Sequence, residues 1–228
     1  MFQRTTRVIS FLQERRRNVV TRLPVPTHGD EMPELTTMQS IFRTAMANLP
    51  AAVNIVTTDG PAGRCGMTVT AVCSVTDSPP TALVCVNQNS AMHNVFRNNG
   101  RVGINVLSGD DEELAMHFAG ATQVAMADRF QWDIWEEDTD DGVPILRAAH
   151  VVLAGRIADS KTVGSHSVMF VELDRVQTRE HGDSLVYFQR KFHRLSVPVE
   201  SPDWLFYDEW SDPITVTPAL VPAAAGGK

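Results

Sequence analysis

One stretch, residues 66–80 (GMTVTAVCSVTDSPP), limits what this chain can fold into. From Thr68 to Thr76 the even positions are Thr68, Thr70, Val72, Ser74 and Thr76, while Val69, Ala71, Cys73 and Val75 fill the odd ones. Period two in β-branched and small residues predicts a strand over residues 67–76, because successive side chains of a strand point to opposite faces. One face then presents hydroxyls and the other packs into a core. Asp77-Ser78-Pro79-Pro80 ends the run, since proline fixes φ and removes a ladder donor. A row of hydroxyls and backbone amides without charge suits a neutral, planar, hydrogen-bonding ligand. An ordinary half-buried strand with threonines facing water has the same pattern.

The flanking sequence reads as more strands. Thr37 caps a predicted helix through Leu49, with Met38, Ile41, Phe42, Ala45, Met46 and Leu49 at helical spacing and Pro50 as its stop. Residues 51–58 (AAVNIVTT) read as a strand, residues 59–63 as a hairpin turn and residues 81–87 (TALVCVN) as a buried strand. Asn89 or Ser90 caps a short helix that ends at Asn98-Asn99-Gly100. Residues 101–107 form another strand and residues 110–118 a helix with acids in its first turn. Residues 128–142 read as a covering loop, with Phe130, Trp132 and Trp135 among the acids Glu136, Glu137, Asp138, Asp140 and Asp141. Strand-like stretches follow at 148–158, 168–178, 184–190 and 193–199. Strand upon strand with short turns argues an antiparallel barrel or sandwich, mainly β with a few helices, rather than a βαβ fold.

Composition narrows the class. The chain has 228 residues, 43% hydrophobic and 21% charged, as in a soluble globular protein. Its formal net charge of -7 disfavours a nucleic-acid partner. No apolar run approaches the ~18 residues that span a bilayer, so no membrane partner is expected. Cys65, Cys73 and Cys85 fit neither a disulfide framework nor a Cys-x-x-Cys metal clip, and read as core thiols of a cytoplasmic protein. Residues 1–35 carry Arg4, Arg7, Arg15, Arg16, Arg17 and Arg22, and read as a poorly ordered extension. A basic membrane-surface or transit-like helix, or translation from an upstream start with the functional start at Met32 or Met38, fits the same residues. Residues 36–200 form the globular domain, and residues 201–228, with Trp204, Phe206, Tyr207 and Trp210, a C-terminal tail.

No serine nucleophile elbow, Walker loop or Gly-x-Gly-x-x-Gly occurs. His117, His166 and His193 fall on separate loops without metal-ligand spacing, and no metal is expected. His166, in the turn Gly164-Ser165-His166, suits a base, a ligand or a cofactor contact. From the residues alone the reading stops at a β-barrel with a polar, uncharged ligand face.

Several motifs together resemble the short-chain flavin reductase family: residues 51–60 (AAVNIVTTDG), residues 66–77 with Pro79-Pro80, residues 87–92 (NQNSAM), Asn105-Val106-Leu107, residues 117–120 (HFAG) and Gly164-Ser165-His166. The likeness runs in order from Phe42 to Leu195. The resemblance implies an FMN-binding split β-barrel of Greek-key type, a homodimer with flavin near the subunit interface. It implies that Thr68, Thr70, Ala71, Val72 and Ser74 line the isoalloxazine and ribityl chain. Asn87, Asn89 and Ser90 reach the ribityl or phosphate end, and Phe118, Ala119 and Gly120 flank the far side. His166 orients the nicotinamide and is the one residue given a catalytic role; a structural turn residue is its alternative. Phe188 and His193 match the family's late aromatic and histidine segment.

The resemblance further implies an NAD(P)H:flavin oxidoreductase using FMN or FAD, with NADH or NADPH as electron donor. Reduced flavin then passes to a separate oxygenase component, an aromatic hydroxylase; a reductase of pyrimidine degradation is similar. A flavin- or heme-binding split barrel without turnover, and an interaction module with docking tails, are the alternatives from other classes.

Overall fold

The computed structural model describes residues 35–136, 142–179 and 182–196. The Arg-rich extension, the C-terminal tail and most of the acidic run after Glu136 lie outside the described residues. The elements in chain order are α1 (Thr37–Ala47), β1 (Ala51–Ala52), β2 (Asn54–Thr58), β3 (Cys65–Val69), β4 (Val72–Asp77) and β5 (Pro80–Asn87). Then come α2 (His93–Asn99), β6 (Arg101–Val106), α3 (Glu112–Phe118), α4 (Met126–Arg129), β7 (Val151–Val163), β8 (His166–Thr178), β9 (Ser184–Phe188) and β10 (Lys191–Leu195). The fold is mainly β with few helices, and its ladders are antiparallel, as expected.

The run at residues 67–76 is not one strand. It breaks at Thr70-Ala71, where Val72 N–H donates to Thr70 C=O (3.0 Å) and Cys85 N–H donates to Ala71 C=O (3.1 Å). The halves, β3 and β4, are the two edges of a seven-stranded sheet of order β3-β2-β6-β7-β8-β5-β4. A flat sheet of that order separates its edges by roughly 29 Å, six strand spacings. Three Cα–Cα steps from Val69 to Val72 reach at most about 11 Å. The sheet therefore curls until its edges meet at the corner. The expected core face holds for β3, where Cys65 and Val69 are buried, but not for β4, whose residues beyond Val72 are exposed.

Curling gives the sheet two apolar faces to bury. Inside the curl lie Val56, Val69, Val84, Phe96, Ile104 and Met169. Outside it, Val53, Ile55 and Leu185 pack with Phe118, Phe130 and Trp135. β2 supplies both clusters and is buried at every position. Thus Phe130 and Trp135, expected in a covering loop, are core residues, and α4 interrupts that loop. A second sheet of order β1-β9-β10 lies beside the first. The run at residues 51–58 divides between the sheets at Val53.

Other boundaries shift for local reasons. Thr36, not Thr37, caps α1: its Oγ1 accepts from Gln39 N–H, and the Gln39 side chain accepts from Thr36 N–H. Neither Asn89 nor Ser90 caps α2, whose N-cap is Met92 without a side-chain bond. Asn87 Oδ1 accepts from Asn89 N–H (2.9 Å) and Ser90 Oγ from Met92 N–H (3.3 Å), so these side chains stabilise the turn before the helix. Gly100 ends α2 in the left-handed region (φ 73°) as predicted. The 168–178 strand begins at His166, and the last strand ends at Leu195.

The segment through Val143, Ile145 and Leu146 is pinned over the sheet by buried polar groups. Asn105 Nδ2 donates to Ile55 C=O (3.0 Å), and its Oδ1 accepts from Leu146 N–H (2.8 Å). Thr57 Oγ1 donates to Pro144 C=O (2.7 Å). Asn105→Ala leaves a buried carbonyl and a buried amide without those partners, and each such loss costs about 1–3 kcal/mol. The midpoint of urea unfolding is expected to fall accordingly; an unchanged midpoint would show that these bonds do not hold the segment.

Candidate functional site

Thr70, Ala71, Val72, Ser74, Asn87, Asn89, Ser90 and His166 lie along one track. It starts at the corner, where Thr70 and Ala71 are exposed and Val72 is half-buried. β4 runs from there against β5, with Val72 opposite Val84 and Ser74 opposite Ala82. Ser74 is exposed and flanks a register irregularity between Ser74 and Thr76. β3 pairs only with β2, and β4 only with β5. Edge strands leave alternate amides and carbonyls outside any ladder. The corner thus offers uncharged donors and acceptors from both edges.

β5 continues from beside the corner to Asn87. Asn87 pairs with His166 across the β5–β8 ladder, and Gln88 N–H donates to Ser165 C=O (2.9 Å). The turn carrying Asn89 and Ser90 is therefore fastened to the β7–β8 hairpin carrying His166. That hairpin turns at Gly164-Ser165 with Gly164 at φ 56°, where a side chain would be strained. His166 is exposed, and its Nδ1 lies 2.9 Å from Ser165 Oγ. From Ser74, opposite Ala82, to Asn87 the track spans five residues of β5, about 17 Å.

Thr68 and residues 118–120 meet on the other side of the corner. Thr68 Oγ1 donates to Ala115 C=O of α3 (2.7 Å), so its hydroxyl proton serves to dock the helix on β3. Phe118 is 2% exposed, with ring centroids 5.5 Å from Phe130 and 5.7 Å from Trp135. Its side chain is core, leaving Ala119 and Gly120 exposed at the helix end. Gly120, at φ 77°, ends α3 with its N–H on His117 C=O. Phe188 and His193 lie apart, on the smaller sheet. Their rings are 6.0 Å apart, and His193 Nε2 is 3.1 Å from Phe188 C=O.

Burial shifts two groups on β3 and α3. Cys65 is pushed up to about 11, first by burial and then by Asp59, so it is a protonated core thiol. His117, in the last turn of α3 rather than on a loop, contacts the Trp132 ring at 4.9 Å and Thr122 Oγ1 at 2.7 Å. Burial holds its imidazole below the usual histidine value; Glu113 pulls it up and the Arg129 guanidinium down. Among the described residues no cluster of His, Cys, Asp or Glu is arranged to hold a metal.

Two features escape the sequence reading. Arg129, 7% exposed, lies over the Phe118 ring (5.6 Å) and donates through Nε and Nη2 to Val124 C=O. Burial lowers its pKa. Gln88, His93 and Ser167 form a hydrogen-bonded chain behind the Asn87–His166 pair. Gln88 stands between Asn87 and Asn89 in the quoted motif, which was a usable signal; burial of a histidine four residues beyond Asn89 was not.

Comparison with known proteins agrees with this architecture. Residues 46–196 match the flavin reductase like domain. The chain is 55% identical over 167 residues to the 4-hydroxyphenylacetate 3-monooxygenase reductase component of Pseudomonas aeruginosa, covering 73% of this chain and 98% of that protein. It is 46% identical over 155 residues to the FMN reductase (NADH) RutF of Stutzerimonas stutzeri, covering 68% of this chain and 87% of the relative. Among solved structures, the bacterial flavin reductase BorF of a two-component tryptophan halogenase superposes with a TM-score of 0.65 at 26% identity, over 69% of this chain and 98% of that one. The flavin reductase HpaC complexed with NADP+ gives 0.61 at 25% identity, over 68% and 97%. The chain belongs to the flavin reductase like family.

His117 gives a pH prediction. The folded state favours its neutral imidazole, whereas an unfolded histidine takes up a proton near 6.5. The unfolded state therefore binds more protons below that pH, and stability falls as pH falls through it. His117→Asn is expected to flatten the slope of Tm against pH in this window; an identical slope in the variant would contradict the assignment.

Proposed function

We propose that the protein is an NAD(P)H:flavin oxidoreductase that reduces FMN or FAD and passes the reduced flavin to a separate monooxygenase. The observation that carries this is the uncharged track from the β3–β4 corner to the Asn87–His166 pair, in a chain of this family. The curled sheet is the wall of an FMN-binding split barrel whose edges meet at that corner. The names of the 4-hydroxyphenylacetate 3-monooxygenase reductase relatives favour an aromatic hydroxylase as partner, with a pyrimidine-degradation oxygenase as the runner-up. The three cysteines, without disulfide or metal-clip spacing, support the cytoplasm as the protein's compartment. Among the described residues no helix is long and apolar enough to cross a membrane.

The residues present fit a flavin. Its ring carbonyls and N3 need neutral partners, which the uncharged backbone and hydroxyl groups around Thr70, Ala71, Val72 and Ser74 supply. Thr68 sets α3 against β3, so Ala119 and Gly120 border the ring's far side. Asn87, Asn89 and Ser90 present a turn to the ribityl or phosphate end. His166 orients the nicotinamide, and Phe188 and His193 line the approach from the smaller sheet. Bound flavin and nicotinamide supply the hydride chemistry between them; the protein stacks the two and excludes water.

The site residues span three regions of one subunit, and a second copy completes the assembly. α1 shows an apolar stripe to solvent, with Met38 72%, Ile41 59% and Phe42 59% exposed. Such a patch on a soluble protein marks an interaction surface, here the homodimer interface. Phe42→Asp is expected to convert dimer to monomer in sedimentation velocity. A dimer that withstands the change would remove α1 from the interface.

Steady-state kinetics test the function. NADH oxidation should depend on added FMN or FAD, and NADPH is compared in the same assay. Bound flavin with no nicotinamide oxidation would instead make this a flavin-binding protein. Ser74→Ala is expected to weaken flavin binding by about 0.5–1.5 kcal/mol, the worth of one neutral hydrogen bond. An unchanged flavin Kd would take Ser74 out of the site.

A further inference from the structure

A polar chain with a buried centre, His93 and Ser167, and exposed ends, Gln88 and Thr162, ties two parts of the candidate site together. His93, at the start of α2, is 5% exposed, and its Nε2 lies 2.9 Å from Ser167 Oγ, itself 3% exposed. Gln88 Nε2 donates to the same Ser167 oxygen (3.2 Å) and to Thr162 Oγ1 (2.9 Å). His93 Nδ1 faces Asn94 Oδ1 at 3.3 Å. In either ring tautomer one imidazole nitrogen faces Ser167 and the other faces Asn94. Ser167 Oγ accepts from Gln88 and shares a further hydrogen bond with His93, so one hydroxyl joins both side chains. A buried hydroxyl and imidazole held this way have little freedom to re-pair, because a lost partner inside the fold is costly.

The chain's position gives it a consequence. Ser167 is the residue after His166, and Thr162 is opposite Ser167 across the β7–β8 hairpin. Gln88 follows Asn87, and His93 N–H donates to Ser90 C=O (3.0 Å). One end of the chain thus grips the His166 hairpin and the other the turn of Asn87, Asn89 and Ser90. Main-chain pairing fixes the strands, and the Gln88 N–H bond to Ser165 C=O holds one side of the Gly164-Ser165 turn; the side-chain bonds add a second tie, at Thr162 and Ser167 on the two strands of the hairpin.

We infer that His93 is a positioning residue for nicotinamide binding: through Ser167 and Gln88 it holds the hairpin of His166 at a set distance from the turn that receives the flavin's polar end. The inference rests on the proposal that His166 meets the nicotinamide. His93 touches neither substrate. Its loss alters how His166 is presented, not the ring-stacking surfaces at the β3–β4 corner.

The test compares His93→Leu, His93→Gln, Ser167→Ala and His166→Ala in the full chain by steady-state kinetics with NADH and FMN. His93→Leu and Ser167→Ala should each raise KM for NADH about five- to twentyfold, with KM for FMN within about twofold. The double variant should do no worse than either single change, because both cut one chain. His93→Gln, whose side-chain amide can donate to or accept from Ser167, should restore most of the NADH affinity. Equal rises in both KM values with a fallen Tm, and no rescue by glutamine, would reduce His93 to a structural role and overturn the inference. If His166→Ala raises KM for NADH while His93→Leu does not, the positioning role fails and the nicotinamide assignment stands. If His166→Ala leaves KM for NADH unchanged, the underlying assignment fails instead.

Discussion

Two residues of chain, Thr70 and Ala71, join the opposite edges of a seven-stranded sheet, and the rest of the structure follows from that short connection. Since the link reaches at most about 11 Å, the sheet must curl. Once curled, it has an inner face that Val56, Val84, Ile104 and Met169 fill, and an outer face against which Ala115, Phe118, Phe130, Trp135 and Leu146 pack. The corner is also where two strand edges lie side by side with groups that no ladder uses. Edge groups of this kind are a liability to a protein exposed to other chains; under the proposed function they are the surface that recognises a planar ligand rich in amide-like atoms.

The polar residues divide into those that fasten and those that face outward. Asn105 and Thr57 are buried and bind the covering segment to the sheet. Thr68 spends its proton on α3. Ser74, Asn89 and His166 are at least partly open to solvent. The fasteners are rigid because leaving any of them unpaired is expensive, and that rigidity sets the spacing of the outward residues.

Much of this was legible in the sequence because period-two alternation and turn residues act locally. Gly100 and Gly164 mark turns that need a left-handed residue, and both are found there. The break at Thr70-Ala71 was not legible. The alternation runs through it in phase, and the corner is held by a bond from Cys85, fourteen positions away from Ala71. The β9–β10 turn hides for a different reason. Gln189 and Arg190 adopt φ 50° and 61° without glycine or asparagine, and Gln189 N–H is held by Ala47 C=O of α1. Phe130 and Trp135 looked like a lid because acids surround them in sequence; packing against Phe118 makes them core. Family resemblance located the candidate site residues, but only the fold separates the Phe118 ring, which is buried, from the exposed backbone of Ala119 and Gly120.

The central claim is that flavin lies along the corner and reaches the turn after β5. Amide hydrogen exchange of the full chain, with and without saturating FMN, tests it directly. The account predicts slowed exchange on binding in residues 70–75 and 87–90, with the distant ends of β9 and β10 little changed. Binding that protects other strands and leaves those two segments at their unliganded rates would contradict it.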